Sequence, residues 1–261
     1  MSNAFADRYG PWAVVAGASE GLGAAFAEAL ARRGLNLVLL ARRAEMLDAL
    51  AATLRRAHGV EVRPVAADLA DASFTERLAA ATEGLTVGLG VYNAAYSFVG
   101  ELLDRPLDDA LRVVDVNVRG PLRFVHALAP AMVARGRGGV VLMSSLAGFQ
   151  GAPRLSAYAA SKAFNIVLGE SLWAELRPKK VDVLVSCAGA IRTPNYLATG
   201  GADAPGTLDP AEVAAQTLAA LGRGPMVVPG GVNKLARFVL GRVLSRRGAV
   251  AVMARSTVGL Q

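Results

Sequence analysis

The chain has 261 residues, 53% apolar and 19% charged, a composition that supports a large buried core and excludes extensive disorder. Its net charge is +7, and a single cysteine, Cys187, excludes an intramolecular disulfide and suits a reducing compartment. The two histidines, His58 and His126, lie far apart and offer no zinc-binding spacing, so no metal is expected.

In chain order, residues 12–16 read as a buried strand, followed by a glycine-rich turn and a helix over 22–33. A second strand is predicted at 35–41, a helix at 45–57 and a third strand at 60–66. Apolar runs at 89–92, 139–143, 181–186 and 225–228 continue the strand series. The longest helical patterns cover 107–135 and 157–177, and a Gly- and Pro-containing stretch at 194–210 is the candidate mobile loop. Strands alternating with helices argue for a parallel sheet covered on both faces. Uniformly apolar strands fit that burial. The expectation is therefore one Rossmann-type doubly wound α/β domain of about seven strands, helices on both faces, over 1–261, with a basic extension at about 230–261.

The first turn reads Gly17-Ala18-Ser19-Glu20-Gly21-Leu22-Gly23. Glycines at that spacing let the backbone turn tightly, and the helix opening near Leu22 directs free N–H groups at an anion. Placed between the first strand and the first helix, this is the setting for a dinucleotide pyrophosphate. An acid at the end of the second strand would bind ribose hydroxyls and repel a 2′-phosphate, but this chain has Arg42 and Arg43 there. Guanidinium groups suit a phosphate, so NADP(H) is expected in preference to NAD(H). Glu20 adds no positive charge to the cradle.

Further along, Tyr158 and Lys162 stand four residues apart in Tyr158-Ala159-Ala160-Ser161-Lys162, one helical turn on a common face, with Ser145 thirteen residues upstream. A cation beside a phenol lowers its pKa, which would make the pair a proton donor and acceptor for carbonyl and alcohol chemistry.

With the cradle, Ser145, Tyr158 and Lys162 in this order, the chain resembles the short-chain dehydrogenase/reductase family, in its branch of about 250 residues. The resemblance implies a catalytic set of Asn117, Ser145, Tyr158 and Lys162. It also implies cofactor contacts at Asp68 and Leu69 after the third strand, at Asn93 and Ala94, and at Ile191 and Thr193 in the turn after 181–186. Together with Gly17, Ser19, Gly21, Leu22, Gly23, Arg42 and Arg43 these make up the expected site. Departures from the family pattern are Ala16 for Thr, Ala95 for Gly and Ala188 for Pro, none of which removes a reacting group. The implied reaction is reversible hydride transfer between the nicotinamide and a substrate carbon. Tyr158 would donate the proton, Ser145 would orient the carbonyl, and Lys162 would lower the Tyr158 pKa and bind the ribose. Asn117 would anchor a water leading to solvent. The alternative is a cofactor-binding sensor without turnover.

Tyr96, Phe98, Phe149 and the 194–210 segment are expected to border the substrate cleft, favouring a hydrophobic ketone, ketoacyl or steroid-like substrate. After Glu212 there is no acidic residue, and seven basic ones carry the whole charge excess. Drawn as one helix, 234–247 scatters its charges around the circumference, so a solvated or subunit-facing helix is preferred to a peripheral membrane anchor. No nucleic-acid module is visible. The family commonly pairs subunits through the helix holding Tyr158, so a homodimer or homotetramer is expected. With no stretch of about 18 uncharged apolar residues and no secretory pattern, the expected location is cytoplasmic.

Overall fold

The computed structural model describes residues 4–198 and 203–257. Residues 199–202 of the predicted loop and 258–261 of the basic extension lie outside them.

A seven-stranded sheet with every pairing parallel forms the centre, in the order β3-β2-β1-β4-β5-β6-β7. Its strands are β1 (Trp12–Ala16), β2 (Asn36–Ala41), β3 (Val62–Ala66), β4 (Val87–Tyr92), β5 (Gly138–Ser145), β6 (Val181–Ala188) and β7 (Met226–Val227). Neighbouring residues of one strand point to opposite faces, and both faces are apolar. Ala13, Val15, Leu37, Leu39, Val91 and Val141 enter one core with Phe26 and Leu30 of α2 (Gly21–Ala31) and Leu47 and Leu54 of α3 (Ala44–His58). Val14, Val38, Leu40, Val140 and Leu142 enter the other. There they meet Phe74 and Leu78 of α4 (Phe74–Thr82) and Phe124 and Leu128 of α6 (Gly120–Arg135). The doubly wound fold expected from the sequence is the one observed.

A short helix, α1 (Ala4–Tyr9), escaped the sequence reading. It is fastened to β6, where the Tyr9 hydroxyl donates to Asp182 at 2.7 Å.

The helical run predicted at 107–135 is interrupted without being broken. It starts as α5 (Leu107–Val114), widens into a π-type turn over Asp115–Arg119 and resumes as α6. The 157–177 pattern is α7 (Ser156–Leu176), and 194–210 contains α8 (Pro194–Leu197) before α9 (Pro210–Ala220). Arg192 ties the described part of that loop down, pairing with Asp203 at 2.7 Å and Asp209 at 2.9 Å.

The C-terminal segment differs from the sequence reading. Instead of one helix over 234–247 there are two, α10 (Gly231–Phe238) and α11 (Arg246–Thr257). A wide turn at Val239–Val243 follows α10, and extended backbone at Leu244 ends it. The helical projection that scattered the charges therefore does not apply across 234–247.

Strand order reverses between β1, which leads to β2, and β4, which leads to β5. Chain connections diverge at that point and leave a crevice beyond the strands' C-terminal ends, where ligands of open α/β sheets bind.

Candidate active site

The crevice is a cleft of about 490 Å³. Lining it are Gly17, Ser19, Gly21, Leu22, Arg42, Arg43, Asp68, Leu69, Asn93, Ala94, Ser145, Tyr158, Lys162, Ile191 and Thr193. Of the expected site only Gly23 and Asn117 stand outside this lining, and both lie directly behind it.

At one end the glycine turn has the form a pyrophosphate cradle needs. Gly17 and Gly21 have positive φ, +80° and +55°, and a Cβ on Gly23 would come within 1.8 Å of the Gly17 carbonyl oxygen. Only glycine packs the start of α2 this closely against the turn. Glu20, the N-cap of α2, makes no side-chain cap, which leaves the helix terminus available to an anion. Asn93 braces the turn from β4 by donating to the Gly17 carbonyl at 2.9 Å. Its carboxamide thus supports the cradle as well as lining the cleft. Thr193 caps α8, accepting from the Tyr196 N–H at 3.3 Å, and its methyl group lies against Gly21.

The two arginines after β2 are not equivalent. Arg43 pairs with Glu20 at 2.6 Å and donates to the Ser19 hydroxyl at 3.0 Å. Arg42 is exposed at the cleft with no hydrogen bond or ion pair among the described residues. Its influence reaches Asp68. Burial raises the Asp68 pKa, but the Ala70 N–H, Arg112 and Arg42 more than offset this and hold the carboxyl below its usual range.

Arg112 was not anticipated from the sequence. It reaches from α5 to pair with Asp68 at 2.7 Å, and its guanidinium lies 5.4 Å from the centre of the Tyr96 ring. Nothing in the local sequence marks it, because the partner stands 44 residues away.

At the other end β5 and α7 bring Ser145, Tyr158 and Lys162 together. The Ser144 hydroxyl donates to the Lys162 carbonyl at 2.7 Å, locking the helix to the strand end. Lys162 is 2% exposed, donates to the Met143 carbonyl at 3.2 Å and sits 5.4 Å from the centre of the Tyr158 ring. Burial pulls its pKa down to about 8. Buried behind it, the Cys187 thiol is pushed up to about 12.

Tyr158 corrects one expectation. Burial is the dominant influence and raises the phenol's pKa, while a hydrogen bond with Ser145 pulls it partway back. The ammonium of Lys162 lies over the ring and is engaged by a backbone carbonyl, so the opposing influence comes from Ser145.

Asn117 occupies the wide turn between α5 and α6 and is fully buried. Its oxygen accepts from the Tyr96 N–H at 2.8 Å, and its nitrogen donates to the Tyr96 carbonyl and the Ser161 hydroxyl, both at 2.9 Å. Asn165 donates to the Asn117 carbonyl at 3.0 Å. The side chain thus clamps the Tyr96 loop to α7 beside the site.

Among residues expected at the substrate border, Tyr96 lines the cleft. Phe98 is buried with Arg105 over its ring, and Phe149 lies under Arg237, so neither belongs to the lining. Unanticipated from sequence is Met253 of α11, which packs, as Leu155 and Tyr158 do, against the small cluster of Ala147, Ala152 and Ala159. Arg246 donates to the Phe149 carbonyl at 2.6 Å and fixes α11 in that position.

Residues 11–199 match the short chain dehydrogenase family, and the chain belongs to it. It is an oxidoreductase of that family, built on the Rossmann-type fold described above. The chain is 34% identical to the 7beta-hydroxysteroid dehydrogenase of Collinsella aerofaciens over 87% of its own length and 89% of the relative's. A solved structure concerned with the stereoselectivity of 7beta-hydroxysteroid dehydrogenase superposes with a TM-score of 0.90 at 31% identity, covering 95% of this chain and 98% of the other. A short-chain dehydrogenase from Sphingobium yanoikuyae in complex with NADPH superposes with a TM-score of 0.76 at 32% identity, covering 84% and 87%.

Proposed function

We propose that this protein is an NADP(H)-dependent dehydrogenase/reductase that interconverts a carbonyl and an alcohol on a hydrophobic, steroid-like substrate. The observation that carries the reading is the convergence of the Ser145–Tyr158 pair and Lys162 at one end of a cleft whose other end is a glycine cradle with an uncommitted arginine. The cradle fits a dinucleotide, because the close contact of Gly23 with Gly17 leaves space only where no side chain intrudes. Gly17, Gly21 and Leu22 would hold the pyrophosphate, Arg42 a 2′-phosphate, and Asp68 and Leu69 the adenosine end. When bound, NADPH supplies the hydride.

In the reduction direction negative charge develops on the substrate oxygen. The Tyr158 phenol, kept protonated by its raised pKa, donates to that oxygen. Ser145, next to Tyr158 in the cleft lining, holds the oxygen beside it. Lys162 supplies positive charge over the Tyr158 ring and would bind the nicotinamide ribose. Asn117 keeps the Tyr96 wall and α7 in register.

A steroid-like substrate is supported by the extent of the likeness to the 7beta-hydroxysteroid dehydrogenase structure, which takes in 95% of this chain. Met253 packs against the same alanine cluster as Tyr158, which gives the C-terminal segment a place beside the reacting end. A homo-oligomer is supported by the exposed apolar row Leu103, Leu107, Leu111 and Val114, with Val167 exposed on α7.

The test is NADPH oxidation against a panel of ketosteroids, ketoacyl thioesters and simple aldehydes. Tyr158→Phe is expected to lose about a thousandfold in turnover, within the usual range for a general acid, with NADPH affinity within a few-fold of the parent. Full activity in Tyr158→Phe would overturn the mechanism, and activity only on small aldehydes would overturn the substrate class.

A further inference from the structure

We propose that α10 and the wide turn after it form a docking surface for an anionic phospholipid bilayer. On α10, Val232, Leu235 and Phe238 fall within about 120° of arc on the helical projection. They are 54%, 63% and 58% exposed, an unusual state for three neighbouring large apolar side chains. Val243, 63% exposed in the following turn, adds a fourth. The opposite side is anchored to the protein by buried Asn233, whose nitrogen donates to the Gly206 and Pro229 carbonyls, both at 3.0 Å. The apolar row therefore faces away from the body on a fixed helix.

Charge selects the occupant. Lys234 borders the row on α10, Arg242 is exposed in the turn, and Arg247 is exposed at the start of α11. No acidic residue follows Glu212. A second copy would bring an equally basic segment to the same face, which like-charge repulsion disfavours. Nucleic acid would satisfy the charges but leave the apolar row in water. An anionic bilayer takes both, with apolar side chains at the acyl boundary and basic groups among the headgroups. Because binding is read without turnover, the proposal does not rest on the assigned reaction.

The experiment is co-sedimentation of the full-length protein with sucrose-loaded vesicles of phosphatidylcholine, with and without about 30% phosphatidylglycerol. Binding is expected only to the anionic vesicles and is expected to fall steeply in about 0.5 M salt, where charge interactions are screened. Leu235→Ser/Phe238→Ser should weaken it at least about tenfold, since the apolar face contributes alongside charge. Arg242→Glu/Arg247→Glu should do the same, and serves as an independent arm if the serine variant is poorly folded by circular dichroism. No binding by the parent protein, equal binding to neutral vesicles, or undiminished binding by folded Leu235→Ser/Phe238→Ser would overturn the proposal. So would a change of oligomeric state in that variant by sedimentation velocity, which would make the face a subunit interface.

Discussion

Lys162 is the residue at which stability and chemistry pull in opposite directions. Burial lowers its pKa from 10.5 to about 8, so the folded protein holds the charged form at a cost. That cost is fully present below pH 8, fades between the two values as the folded state sheds its proton first, and is gone above them. Lys162→Met should therefore raise stability at pH 7 by about 2 kcal/mol, some 4–8 °C in Tm, with the gain vanishing as pH approaches 10.5. The variant should be inactive. In the parent protein, kcat/KM for reduction is expected to fall above pH 8 as the ammonium is lost, a profile measured directly in a pH series. At the cofactor end, Arg42→Ala should weaken NADPH by about 10–100-fold, the worth of a charge-assisted phosphate contact, and NADH by less than about threefold. Arg43→Ala should cost less, because that guanidinium is already engaged by Glu20 and Ser19. Equal losses for both nucleotides in Arg42→Ala, measured by fluorescence titration, would remove the 2′-phosphate assignment.

Among the elements, the wide turn at Asp115–Arg119 has the largest effect on the site. It turns Asn117 inward, and three hydrogen bonds to Tyr96 and Ser161 depend on that side chain. Asn117→Ala would leave buried partners unsatisfied and is expected to cost about 2–3 kcal/mol and loosen the Tyr96 wall, visible as a lower Tm together with a raised KM. This turn also marks where the sequence stops being readable. Strands and most helices were legible because apolar runs and glycine turns are local signals, and the cradle could be located from three glycines and their place between strand and helix. The π-type widening has no such mark, since 107–135 keeps a helical pattern throughout. Arg112 was illegible for a related reason: its meaning lies in Asp68 and Tyr96, which only tertiary packing brings near. The C-terminal segment was misread because an unbroken helix was projected through Leu244, whose extended backbone resets the phase. The Tyr158 pKa was misjudged because residue spacing conveys proximity to a charge and says nothing about burial.

For the molecule as a whole, the decisive fact is that the site belongs to no single stretch of chain. A nucleotide that binds only the folded state should stabilise it by about 2.7 kcal/mol at a hundred times its Kd, raising Tm by some 5–10 °C in a thermal-shift titration. NADH at the same multiple of its own Kd should do likewise, whereas NADPH should reach that shift at lower concentration. The β1–β4 pairing, where strand order reverses, has a further consequence. Gly17, Arg42 and Asp68 come from the half of the sheet made before β4, and Ser145, Tyr158 and Lys162 from the half made after it. The line between β1 and β4 is thus a seam between two half-sheets, and a dinucleotide lying across it acts as a cross-brace joining them. Opening the seam and releasing the nucleotide become one event, so amides of β1 and β4 should be the ones whose hydrogen exchange slows most on binding.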